Sequence, residues 1–171
     1  MALTLFQLPG LMPLLRGDAL PCTHDNLWHG FRIVALREML RHGWLFSRWL
    51  PNLALGYGYP FFNYREPLPY LVGEGLFALG VPLPWVLGLI YVAAMVGGAW
   101  GASVLARDIY GERAAWVAGL AYGLGPYVLL DALRRGNMPE SVALGLAPWL
   151  FVVARRVVVE RRRASIVATV L

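Results

Sequence analysis

Hydrophobic residues run in long blocks along this chain, separated by short stretches rich in Arg, Pro or Gly. Residues 81–106 carry no charged side chain. That is ample for a helical membrane span, which takes about 20 residues, and Pro82 and Pro84 suit its first turn. A second span is expected over residues 114–133, apolar through Leu130, and a third over residues 138–154. In the third, the apolar run starts at Ser141, so residues 136–140 must lie at the interface for it to cross. Residues 164–171 are apolar again and follow Arg161, Arg162 and Arg163. They read as the opening of a further span, and the sequence as an N-terminal fragment. Residues 1–15 are apolar but short for a span and are read as a first membrane helix missing its beginning. The alternatives are an interfacial or re-entrant helix, or a signal peptide. The last is disfavoured by the lack of a basic start and by Pro9 and Pro13.

Residues 16–80 break this pattern. Over residues 26–42, Leu27, Phe31, Val34, Ala35, Met39 and Leu40 recur at near-helical spacing, with Arg32, Arg37, Glu38 and Arg41 between them. This predicts an amphipathic helix lying on the membrane, stopped at Gly43. Trp44, Arg48 and Trp49 follow with the composition of an interfacial anchor. Residues 55–64, L-G-Y-G-Y-P-F-F-N-Y, are too rich in Gly, Tyr and Pro for regular structure and predict an ordered aromatic loop. Residues 67–80 are too short to cross and hold Glu74 in their middle, so a juxtamembrane helix is expected.

Composition agrees: 58% of the 171 residues are hydrophobic and 15% charged, far from soluble usage. The expected fold class is an all-α integral membrane protein, a multi-span helical bundle with a long first loop carrying juxtamembrane helices. All fifteen basic residues are Arg, which reflects base composition of the genome more readily than a preference for bidentate anion contacts. The net charge of +5 is spread over the ends of apolar blocks rather than along one basic aromatic face, which argues against a nucleic-acid partner. The lone Cys22 cannot form an internal disulfide, and no paired Cys/His spacing marks a zinc site. Five arginines between residues 155 and 163 predict a cytoplasmic loop. Counting back through the spans then places residues 133–139 and the long first loop outside a cell membrane. Six arginines in that loop weaken the bias.

The first loop opens on T-H-D-N-L-W-H, residues 23–29. On a helix Asp25, His29 and Arg32 share one face. Asp25 suits a general base or metal ligand, His29 a metal ligand or a group that orients Asp25, and Arg32 a phosphate contact. Each also has a plainer role. Asp25 can cap the helix that follows, His24 and His29 can be ordinary interfacial histidines, and Arg32 can touch lipid headgroups. Asp131, one turn inside the second span, needs a partner such as Arg134 or Arg135.

The order of an apolar segment, an acid-containing loop, an amphipathic helix ending in Gly, an aromatic loop, R-E-P-L-P-Y-L-V-G-E-G-L-F-A-L-G and a long span ending L-A-R-D-I-Y-G-E-R resembles the start of GT-C membrane glycosyltransferases. It is similar in particular to prokaryotic membrane proteins labelled 6-pyruvoyl-tetrahydropterin synthase-related. The resemblance implies a hexosyltransferase that moves a sugar from a polyprenyl-phosphate donor to a lipid, glycan or protein acceptor at the external membrane face. It implies Asp25 and Glu140 as catalytic acids, with Arg135 as a phosphate contact. His24, His29, Arg32, Asn63, Tyr64 and Arg65 would contact substrate. A divalent metal, Mg or Mn, on Asp25 and His29 is the one cofactor it suggests, and its partners are the lipid-linked sugar and membrane lipids. Two positions depart from the pattern: Asn26 stands where many relatives carry Glu, and Glu66 where the first Pro of the Pro-Pro-Leu-x-Tyr-like entry would be. The plainer role of Arg134, Arg135 and Glu140 is to complement helix dipoles. The first loop can also be packed simply by its own aromatics. A transporter or flippase for lipid-linked glycans and a non-catalytic assembly protein are the alternative functions.

Overall fold

The computed structural model describes residues 9–160 apart from residues 10, 16, 19 and 46. Residues 1–8 of the expected first helix and the expected further span at residues 164–171 lie outside the described residues. Among the described residues the fold is all-helical, with one isolated antiparallel bridge, Leu50 to Tyr59. The helices are α1 (Asn26–Arg41), α2 (Leu68–Ala78), α3 (Leu83–Tyr110), α4 (Glu112–Gly123), α5 (Pro126–Leu130) and α6 (Met138–Glu160). A π-helical turn, Asp131–Arg135, follows α5.

Among the described residues, three helical stretches are long and apolar enough to cross a membrane: Leu83–Tyr110, Glu112–Arg135 and Met138–Val159. Trp100, Val117, Leu150 and Phe151 on them are largely exposed, as lipid-facing side chains are. The first stretch begins after Pro82 and runs past Ala106 because its polar end is paired. Asp108 meets Arg156 at 3.5 Å and its carbonyl accepts from Arg155 Nη2 at 2.9 Å, while Arg107 meets Glu112 at 3.6 Å. The second stretch is not one regular helix. It breaks between Gly123 and Pro126, whose ring nitrogen has no proton to donate, and then widens into the π turn. The third packs on α3 through small residues: a Cβ on Gly145 would lie 2.7 Å from the Ala94 carbonyl oxygen. Trp149 Nε1 donates to the Gly97 carbonyl at 2.8 Å across the same crossing.

The remaining elements gather at the α3 N-terminal end of the bundle. The α2 helix has 11 residues, about 16 Å of length, too short to cross. Helix α1 packs on α2 and corrects one sequence expectation. The residues it buries are Asn26, His29, Gly30, Ile33, Ala35 and Leu36, whereas Leu27, Phe31 and Val34, picked out by periodicity, are exposed together with Trp28. Ala35, also picked out by periodicity, is buried, and Met39 and Leu40 pack partly buried against the core. Helix α1 therefore has two apolar faces, one against the protein and one turned outward, and the periodic set straddles both. The aromatic loop is clasped by the Leu50–Tyr59 bridge and turns over at Ala54 and Leu55, both at positive φ, so that Leu55 projects fully from the surface.

Candidate functional site

The segment leading into α1 is docked against the turn between the π helix and α6. The backbone N–H of His24 donates to the Arg134 carbonyl at 3.3 Å, and that of Asp25 to the Arg135 carbonyl at 3.1 Å. Gly136, at φ +69, ends the π turn directly against the Thr23 side chain, where a Cβ would overlap the hydroxyl. Residues more than a hundred positions apart are thus held together by main-chain bonds, leaving their side chains available. Asp25 does not cap α1 with its side chain. The cap is Thr23, whose Oγ1 accepts the Asn26 N–H at 3.2 Å. The Asp25 carboxylate thus stands at the α1 N-terminus without a side-chain capping bond.

Asn26 is fully buried and anchors this corner. Its Nδ2 donates to the Pro21 carbonyl at 3.1 Å and its Oδ1 accepts from Tyr91 Oη of α3 at 2.7 Å. A Glu here would bring a charge into a site built for a neutral amide, one donor and one acceptor, so the departure at this position has a physical reason.

One turn on, His29 is buried between α2 and the α6 start. Its Nδ1 lies 2.8 Å from Tyr70 Oη, and its Nε2 accepts the Met138 N–H at 3.3 Å. In that tautomer the Nδ1 proton goes to Tyr70, whose oxygen also accepts from Arg32 Nη1 at 3.4 Å. Burial, with the Arg32 charge adding to it and Asp25 opposing it, lowers the His29 pKa from 6.5 to about 4. Burial likewise raises Tyr70, so both rings are neutral at physiological pH. Between the two His29 values the unfolded chain binds more protons than the folded one. Stability present above pH 6.5 is therefore lost as pH falls toward 4. Melting temperatures in detergent should fall more between pH 7.5 and 5 for wild type than for His29→Gln, by an amount corresponding to roughly 1–2 kcal/mol. Equal falls would show that His29 does not titrate this corner.

Arg32 sits over the Phe61 ring, 4.6 Å from its centroid, and among the described residues it pairs with no carboxylate. Arg65 lies close enough for its charge to act on both His29 and Tyr70, and it too has no carboxylate partner among the described residues. His24, Asn63, Tyr64, Arg65 and Glu66 are exposed and make up the polar rim of this bundle end.

Arg135 is differently placed. Its Nη1 meets Asp131 Oδ1 at 3.1 Å, Glu140 Oε2 at 3.0 Å and Tyr127 Oη at 3.0 Å. Asp131 is fully buried, and its Oδ2 accepts from Ser141 Oγ at 2.7 Å. Glu140 accepts from Asn137 Nδ2 at 2.7 Å and from Tyr127 Oη. Of the two arginines expected from sequence at the second span's end, Arg135 is the partner of Asp131, and it is already committed to two acids. A divalent metal fits the arrangement poorly. Both His29 ring nitrogens are engaged by protein groups, Asp131 and Glu140 share Arg135, and among the described residues no three His, Cys, Asp or Glu side chains gather as a metal-ligand set.

Sequence reasoning overlooked Thr23, Asn26 as an anchor, Tyr91, Tyr127 and Ser141. Tyr91 and Ser141 lie in apolar runs where a single hydroxyl gives no periodic signal, while Tyr70 was visible as the last residue of the Pro-Leu-Pro-Tyr entry. No protein-family model matches the chain, and no curated protein or solved structure is significantly similar to it.

Proposed function

We propose that the chain belongs to a GT-C-like membrane glycosyltransferase, using a polyprenyl-phosphate sugar at the external face of the cell membrane. One observation carries the reading. A half-buried carboxylate, Asp25, with no capping duty, shares a bundle end with two arginines, Arg32 and Arg65, that lack acidic partners among the described residues. Sugar transfer needs that pairing. Asp25 accepts the proton of the acceptor hydroxyl as its oxygen bonds to the sugar C1. The C1–O bond to phosphate breaks, and the departing polyprenyl phosphate takes the bonding electrons, its charge met by Arg32 and Arg65. Tyr70 and Phe61 fix Arg32 in place. Glu140 acts through Arg135, holding the turn that carries the Asp25 backbone. His24, Asn63 and Tyr64 line the approach. The aqueous rim and the lipid-exposed spans meet at this end, where a substrate with a polar head and an isoprenoid tail has to bind.

Purified full-length protein, incubated with a panel of radiolabelled polyprenyl-phosphate sugars and membrane extract as acceptor, should move label from the donor into an acceptor fraction. Donor that crosses the bilayer of proteoliposomes without losing its sugar, with no label transferred from any donor, would replace this reading by a transporter or flippase.

A further inference from the structure

About two helical turns along α1 from His29, an open groove of about 420 Å³ runs between α1 and the turn from α2 into α3. Arg37 and Arg41, one helical turn apart, line one wall, and Phe77, Val81 and Pro82 the other. The Arg37 guanidinium stacks on Phe77, 4.5 Å from its ring centroid, and its Nη1 is buried without a hydrogen-bond partner. Among the described residues neither arginine has an acidic partner. The carboxylate on the groove, Glu38, lies 3.5 Å from His42 instead. A cation that is partly withdrawn from water with no counter-charge is costly, and an anion in the groove removes that cost. The position says which anion. Leu83 opens the longest apolar helix immediately after this wall, so the groove lies at the depth where a bilayer's phosphates sit, and its floor is apolar.

We infer that Arg37 and Arg41 bind the phosphate of an anionic membrane phospholipid, with the groove between Val34, Phe77 and Val81 receiving the start of its acyl chains. The site is separate from the Asp25 cluster and does not depend on the transfer reading. Full-length protein in a neutral detergent is titrated with fluorescently labelled phosphatidylglycerol. Arg37→Gln combined with Arg41→Gln should weaken binding about tenfold or more, as expected for the loss of two charge-assisted contacts. Arg48→Gln, just ahead of the aromatic loop, should leave it unchanged. Unlabelled phosphatidylglycerol should displace the probe, and phosphatidylcholine should do so poorly. Displacement by inorganic phosphate at the lipid's concentration would overturn the lipid assignment. An equal loss in Arg48→Gln would overturn the site in favour of a diffuse basic surface. Should the double variant fail to fold, Arg41→Gln alone, at an exposed position, decides the matter: unchanged affinity there refutes the proposal.

Discussion

Replacing Asp25 by Asn is expected to cut sugar transfer by about 100-fold or more while the protein accumulates and folds as wild type does. The magnitude is that of a lost general base. The specificity of the effect follows from the geometry. The contribution of Asp25 to the fold runs through its backbone N–H, which donates to the Arg135 carbonyl at 3.1 Å, and Asn keeps that group. The helix cap belongs to Thr23, so exchanging carboxylate for amide leaves α1 intact. Initial rates with the preferred donor, set beside melting temperatures of the same preparations, separate the two contributions. Transfer at the wild-type rate would remove Asp25 from the chemistry. Lost transfer with a lowered melting temperature would assign it to structure instead.

Asn26→Leu should be the most damaging single change near the site, costing about 3 kcal/mol. Leucine keeps the branching of the side chain, with bulkier methyl groups, but leaves the Pro21 carbonyl and the Tyr91 hydroxyl without their bonds, at about 1–3 kcal/mol for each group left unpaired in the interior. Tyr91→Phe removes only one of those bonds and should cost less. Because the Asn26→Leu variant already lacks the acceptor, adding Tyr91→Phe to it should restore part of the loss. Unfolding in mixed micelles of increasing denaturing detergent would measure this cycle. Strictly additive losses would mean that the Asn26–Tyr91 bond does not hold the first loop to α3.

The contrast between these two positions shows where the sequence was informative. The three long apolar helices are visible as composition, since a bilayer selects length and hydropathy and little else. What lies inside those helices is not. The break at Gly125 and Pro126 and the π turn that follows set the direction of Arg135, yet the sequence there reads as a continuous span. At α1 the periodic pattern mixed the two faces, because Asn26, His29 and Gly30 on the inward face are not apolar residues, and their burial depends on partners distant in sequence. The cluster of Asp25, His29 and Arg32 was legible because all three belong to one helical repeat. Its tertiary members were not. Tyr91 and Met138 reach the site only through the packing of α3 and α6, and single residues in apolar runs carry no local sign of that role, whereas Tyr70 is marked by the Pro-Leu-Pro-Tyr entry.

The central claim is that the end of the bundle carrying Asp25, Arg32 and Arg65 binds the donor phosphate. Photo-crosslinking from that end is its most direct test. A photoreactive phenylalanine derivative replaces Tyr64, which is 71% exposed on the rim, or Tyr110, which is 79% exposed at the opposite end of α3. After irradiation with a radiolabelled polyprenyl-phosphate sugar, the account predicts labelled protein from position 64, abolished by excess unlabelled donor, and none from position 110. Labelling from position 110 alone, or equal labelling from both that excess donor does not compete away, would contradict it.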